Sequence, residues 1–169
     1  VRCCTQNGVR GGSATVHFPI WHQEIEDIIV LKNNKGTEDN RVRKLDYSIQ
    51  ISKLFYERFI ANREISLFSP HDVPGLYDAF GTDAFDELYV QYENDTTVSK
   101  IKVSAQDLIL SILKERAETG RIYIMNIDHC NEHSSFKDKV NMSNLCQEIT
   151  LPTEPIDHID AVSYTHLTL

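Results

Sequence analysis

The sequence predicts an α/β fold, with helices wrapped round a sheet or barrel, and three observations carry that expectation. Apolar patterns of period two and of helical period alternate along the chain. Residues 121–127, Arg-Ile-Tyr-Ile-Met-Asn-Ile, are apolar on both faces apart from Asn126, as a strand covered on both sides must be. Just before them, residues 104–120 carry a full helix signature. Ser104 stands as N-cap with Asp107 at capping-box distance, Leu108, Ile109, Ile112 and Leu113 form the buried face, and Gly120 closes the element.

The remaining elements follow in chain order. Residues 5–12, Thr-Gln-Asn-Gly-Val-Arg-Gly-Gly, predict a flexible loop, in which Gly8, Gly11 and Gly12 admit positive φ and close backbone approach around Arg10. Such a loop is either a turn before a strand or a ligand-sensing segment offering Gln6 and Arg10 to a base or phosphate. Residues 13–20 alternate Ala14, Val16, Phe18 and Ile20 with Thr15, His17 and Pro19, which predicts a strand. Ile25, Ile28, Ile29 and Lys32 share one face of a helix over 22–32, with Glu24, Glu26 and Asp27 early, where the helix dipole favours anions. Asn33-Asn34-Lys35-Gly36 stops it.

The cleanest strand is 43–51, where Leu45, Tyr47, Ile49 and Ile51 alternate with Lys44, Asp46, Ser48 and Gln50. A helix carrying Phe55 and Phe59 follows, then a short strand over 64–68. Asp72 is the expected N-cap of the next helix, with Pro74 in its first turn. Phe85, Leu88, Tyr89 and Tyr92 stripe another helix as a core-facing set.

With 169 residues, 41% hydrophobic and 25% charged, the composition is that of one ordinary globular domain. A formal net charge of −8 argues against direct DNA binding, which needs clustered Lys and Arg. No run approaches the roughly 18 apolar residues of a membrane span, and no signal peptide is expected. The chain opens on Val1 in mid-phrase, so it is expected to be a fragment. Cys3 and Cys4 are adjacent, where a mutual bridge would be strained. With Cys130 and Cys146 they read as free thiols of a reducing, cytoplasmic compartment.

Chemistry concentrates in residues 143–149, Ser-Asn-Leu-Cys-Gln-Glu-Ile. Pro152 and Pro155 follow closely and disfavour a helix. An extended segment would point Asn144, Cys146 and Glu148 to one face, roughly 6–7 Å apart. An amide, a thiol and a carboxylate would then line up across a distance comparable to one sugar ring, able to act as hydrogen-bond donor, nucleophile or hydrogen-atom carrier, and general base. Spacing alone equally accommodates a buried cysteine beside solvated polar neighbours. A second cluster, Asp128-His129-Cys130-Asn131-Glu132-His133, packs metal-ligand types together. It lacks the second separated pair of a structural zinc site, and a turn is expected there, so no metal is assigned.

Long blocks carry a family resemblance that covers residues 1 to about 155. They include Cys-Thr-Gln-Asn-Gly-Val-Arg-Gly-Gly, Leu-Lys-Asn-Asn-Lys-Gly, Asn-Arg-Val-Arg-Lys-Leu-Asp-Tyr, Leu-Phe-Ser-Pro-His-Asp-Val-Pro-Gly-Leu-Tyr-Asp-Ala-Phe, Thr-Gly-Arg-Ile-Tyr-Ile and Ser-Asn-Leu-Cys-Gln-Glu-Ile. In these the chain resembles the large catalytic subunits of aerobic class I ribonucleotide reductases. The resemblance implies part of a ten-stranded α/β barrel whose central finger loop bears the thiyl-radical residue, Cys146. It makes Glu148 the general base on the ribose 3′-hydroxyl and Asn144 a hydrogen-bond partner of the substrate hydroxyls. Residues 4–12 match the family's specificity loop, with Gln6, Gly8, Arg10, Gly11 and Gly12 between effector and substrate base.

It further implies ribonucleoside diphosphate substrates, ATP and deoxynucleotide effectors, and a small metal-containing subunit that supplies the radical. A homodimer of large subunits and thioredoxin or glutaredoxin as reductant complete the expected partners. The family's reducing cysteine pair has no counterpart in this chain, so the segment alone is expected to be inactive. Residues 1–160 are expected to be barrel and 161–169 a non-native, adapter-derived tail. A metal-binding or inert module, or an anaerobic or cobalamin-dependent barrel reductase, are the alternatives.

Overall fold

A computed structural model describes residues 5–6, 8–37, 39 and 41–152. The expectations for Cys3, Cys4 and residues 161–169 lie outside them. The frame is a parallel sheet of β3 (Thr15–Pro19), β4 (Asp46–Ile51) and β7 (Ile122–Asn126), in the order β3-β4-β7. In register, Phe18 pairs with Ile49 and Ile49 with Ile124, while His17 pairs with Ser48 and Ser48 with Tyr123. Side chains alternate across a strand, so the first row and the second face opposite ways.

One face is apolar. Phe18, Tyr47, Ile49, Ile51 and Ile122 are buried there in one cluster with Ile25 and Ile29 of α1 (Ile25–Ile29) and Leu108, Ile109 and Ile112 of α5 (Ala105–Thr119). The sequence expectation for α5 holds closely: Ser104 Oγ accepts from Asp107 N at 3.3 Å, and Gly120 caps the C-terminus at φ +66°. Its buried face differs in one position. Leu113 is 43% exposed and Glu115 is buried instead, continuing the i, i+4, i+7 row from Leu108 and Ile112.

The other end of the core is aromatic. Phe55 of α2 (Lys53–Ile60) meets Tyr89 edge-on at 5.3 Å, Phe85 at 6.0 Å and Phe80 at 6.5 Å, with Phe85 and Tyr89 both on α4 (Ala84–Asn94). Tyr89 ties this cluster to β5 (Glu64–Leu67), donating its hydroxyl to Ser66 O at 2.7 Å and accepting from Ser66 N at 2.8 Å. Beside it Arg58 donates to both Glu93 oxygens at 2.7 and 2.6 Å, and Ser66 Oγ adds a third bond at 2.8 Å. Burial pushes the Glu93 carboxyl up, but these bonds hold it below its ordinary value.

Several boundaries move. Residues 5–12 are a hairpin of β1 (Thr5–Gln6) and β2 (Arg10–Gly11) turning at Gly8, φ +71°, rather than a plain loop. The helix expected over 22–32 is only α1, because its end relaxes into i→i+3 turns, Leu31 N to Ile28 O and Asn33 N to Val30 O. Asp72 is no N-cap and Pro74 is not in a first turn: α3 (Leu76–Ala79) begins after Gly75 at φ +80°. A left-handed residue interrupts the right-handed helical path, so no turn begun at Asp72 runs on into α3. The short β6 (Ile101–Ser104), antiparallel to β5, was not foreseen, since Ile101 and Lys102 on this edge are exposed. Residues 127–132 form a short helix, α6 (Ile127–Glu132), rather than a turn.

The family's ten-stranded barrel is not seen as a closed ring among the described residues, which show a mixed α/β arrangement with one parallel sheet. No helix among them is long and apolar enough to cross a membrane.

Candidate active site

The opposite face of the parallel sheet is mostly polar and is covered by a loop. Ser48 and Gln50 of β4 are only 0% and 1% exposed, so their polar atoms need partners from whatever lies over them. Residues 141–150 supply them for Ser48 Oγ and Gln50 Nε2, while Gln50 Oε1 stays without a partner among the described residues. Gln50 Nε2 donates to Asn141 O at 2.5 Å, and Ser48 Oγ donates to Gln147 Oε1 at 2.6 Å. Thr15 Oγ1 of β3 donates to Leu145 O at 2.6 Å, and Gln147 Nε2 donates to Ile124 O of β7 at 2.7 Å. All three strands therefore hold the loop. Its approach is fixed by Asn131 of α6, which accepts from Val140 N at 2.8 Å and donates to Val140 O at 3.1 Å.

The extended reading of 143–149 is corrected by the loop itself. Ser143 and Thr150 form an antiparallel bridge, Gln147 N donates to Asn144 O at 3.1 Å, and Gln147 lies in the left-handed region at φ +61°. The segment is a closed turn, not a strand, and simple alternation no longer ranks Asn144, Cys146 and Glu148 in one row. The reason is a lack of ladder partners. Inside the turn, Asn144 Oδ1 satisfies the backbone instead, accepting from Glu148 N at 3.1 Å and Ile149 N at 3.0 Å.

The turn still keeps the three residues within one short segment and exposes two of them. Cys146 is an exposed free thiol and Glu148 is exposed. Among the described residues neither side chain has a partner. Asn144 turns its oxygen inward, leaving its Nδ2 as a donor. The chemistry such a turn offers is a sulfur centre flanked by an amide donor and a carboxylate.

His17, in register with Ser48, lies on the same polar face. Both ring nitrogens are buried and neither completes a hydrogen bond. Burial, the larger cause, holds its pKa below the ordinary value. Gln6 and Arg10 are register partners in the hairpin, with Gly11 and Gly12 leading on to Thr15 and hence to the turn. The side chains of Gln6 and Arg10 lie outside the described residues.

The second cluster has structural work. Asp128 Oδ2 accepts from Lys53 N at 2.6 Å at the start of α2, Asn131 holds Val140, and the His129 and His133 rings pack 5.9 Å apart. Burial raises the Asp128 carboxyl and the Cys130 thiol above their ordinary values. No three His, Cys, Asp or Glu among the described residues converge as a metal set. Sequence reasoning missed Thr15, Ser48, Gln50, Asn131 and Gln147. The signal was there in part: strands covered on both sides leave no solvent for a polar row.

Residues 1–160 match the family model of the ribonucleotide reductase barrel domain. The chain belongs to this barrel family. It is 56% identical over 165 residues to the ribonucleoside-diphosphate reductase subunit alpha of Haemophilus influenzae, covering 95% of this chain and 22% of that protein. The ribonucleoside-diphosphate reductase 1 subunit alpha of Escherichia coli K12 is 54% identical over 162 residues, 93% of this chain and 21% of that protein. The large subunit of Arabidopsis thaliana is 37% identical over 152 residues, 89% of this chain and 18% of that protein. The chain thus spans about a fifth of the length of these relatives. The clamped turn lies wholly inside the reductase barrel match.

Proposed function

We propose that this chain is the finger-bearing part of a ribonucleoside-diphosphate reductase catalytic subunit, which reduces ribonucleoside diphosphates to 2′-deoxyribonucleoside diphosphates. One observation carries the reading: an exposed cysteine, without a partner among the described residues, in a turn clamped to three strands that also bears an amide and a carboxylate. Membership of the reductase barrel family supports it.

In this mechanism the Cys146 sulfur, as a thiyl radical, takes the hydrogen atom from ribose C3′ and becomes a thiol. Glu148 takes the 3′-hydroxyl proton, and Asn144 Nδ2 donates to a substrate hydroxyl. The 2′-hydroxyl, protonated by the dithiol, leaves as water, and the dithiol gives its second proton and two electrons to the sugar as it becomes a disulfide. Cys146 then returns its hydrogen to C3′ and regains the radical. That radical comes from a small metal-containing partner subunit, and the dithiol lies outside this chain, itself recharged by a thioredoxin or glutaredoxin. The hairpin bearing Gln6, Gly8, Arg10, Gly11 and Gly12 reads the substrate base under control of ATP or deoxynucleotide effectors, in a homodimer of large subunits. A turn rich in glycine changes conformation at low energetic cost, so an effector with differential contacts can bias it.

The test is made in a full-length subunit carrying this segment, assayed with its radical-supplying partner. Cys146→Ser abolishes turnover and leaves substrate affinity unchanged, and retained turnover contradicts the proposal. Glu148→Gln slows turnover on the order of 10²-fold or more, the usual range for a lost general base.

A further inference from the structure

We infer that Gln147 is the positioning residue of this site, fixing the directions in which its neighbours Cys146 and Glu148 face a substrate. The inference rests on the proposed reductase reading.

Gln147 sits between the two reactive residues, and their own side chains have no partners among the described residues. Their orientation is therefore set by the backbone that Gln147 controls. That backbone is left-handed, φ +61°, a conformation a long side chain rarely adopts and keeps only when its surroundings over-determine it. The surroundings are three hydrogen bonds. The backbone N–H goes to Asn144 O at 3.1 Å, Nε2 donates to Ile124 O at 2.7 Å, and Oε1 accepts from Ser48 Oγ at 2.6 Å.

The side-chain amide has only one workable orientation. A backbone carbonyl can only accept, so the Nε2 end must face Ile124 O and the Oε1 end must face Ser48. Those partners lie on β7 and β4, which are hydrogen-bonded neighbours in the sheet, and Ser48 is fully buried. A rigid two-strand platform thus holds one residue, and that residue aims the sulfur on one side and the carboxylate on the other. The Thr15 bond to Leu145 O steadies the preceding residue.

The test uses a full-length subunit carrying this segment, with kcat, KM and thermal midpoint measured for each variant. Gln147→Leu keeps the bulk but loses both side-chain bonds. It lowers kcat by tenfold or more, on the order expected for a small misplacement of reacting groups, with KM near that of the parent and a thermal midpoint lowered by the unpaired Ser48 Oγ and Ile124 O. Ser48→Ala removes one bond and lowers kcat less. The double variant is no slower than Gln147→Leu alone, because the two share one interaction. Gln147→Gly accommodates the left-handed turn without the clamp and stays as slow as Gln147→Leu. Parental kcat in Gln147→Leu or Gln147→Gly overturns the inference, as does a loss confined to KM. If Gln147→Leu fails to fold, Ser48→Ala with parental kcat overturns it. Cys146→Ser runs alongside: turnover there sinks the reductase reading itself, whereas loss of turnover there with a normal Gln147→Leu sinks only this inference.

Discussion

The two faces of the β3-β4-β7 sheet are made of different materials. The helix-covered face presents Phe18, Tyr47, Ile49, Ile51 and Ile122, which interlock with Ile25, Ile29, Leu108, Ile109 and Ile112. The loop-covered face presents His17, Ser48 and Gln50, and its contacts to residues 141–150 are single hydrogen bonds with one geometry each. Apolar burial is strong and non-directional, so it holds the domain together without aiming any particular atom. A hydrogen bond adds little net stability, but it fixes a donor against an acceptor. The 143–150 turn is mounted on the face that places, and the stability comes from the face that packs.

Substitutions that remove one face and spare the other sharpen that contrast. The largest stability effect is expected on the packed side. Phe55→Ala opens a void among Phe80, Phe85 and Tyr89 and costs about 3–5 kcal/mol in denaturant unfolding. Tyr89→Phe leaves both backbone groups of Ser66 without their partner and costs about 1–3 kcal/mol by the same measurement. Gln50→Leu reverses the pattern. It releases Asn141 O but also removes a buried Oε1 that has no partner, so unfolding changes little while turnover of a full-length subunit falls. Equal losses of stability at Phe55 and Gln50 would break the contrast.

The smallest effect is a pH dependence at His17. Its folded pKa lies below the ordinary value of about 6.5, because burial disfavours the charged ring. Between those two values the unfolded chain binds a proton that the folded chain does not, so stability falls as pH drops below about 6.5 and is restored above it. His17→Phe removes that dependence, read as a flatter plot of thermal midpoint against pH. An unchanged slope would assign the acid sensitivity elsewhere.

What was legible in the sequence divides along the same line. The α5 helix was readable end to end because its cap, apolar row and closing glycine are all local. The β4 strand was readable from strict alternation. The start of α3 was misplaced because Gly75 takes a left-handed backbone just before it, which the capping residue Asp72 does not announce. The closed turn was misread as extended because nothing local announces that Asn144 will bond the amides of Glu148 and Ile149. Least visible was the clamp itself. Ser48 and Gln147 are 99 positions apart, and each alone looks like an ordinary polar surface residue.

Amide hydrogen exchange across residues 143–150 tests most directly whether the cysteine is presented by a closed, clamped turn. The amides of Gln147, Glu148 and Ile149, each with an acceptor in Asn144, exchange slowly in the parent. In Asn144→Ala those of Glu148 and Ile149 become fast. Uniformly fast exchange through the segment in the parent, or protection of Glu148 and Ile149 that survives Asn144→Ala, would contradict the account.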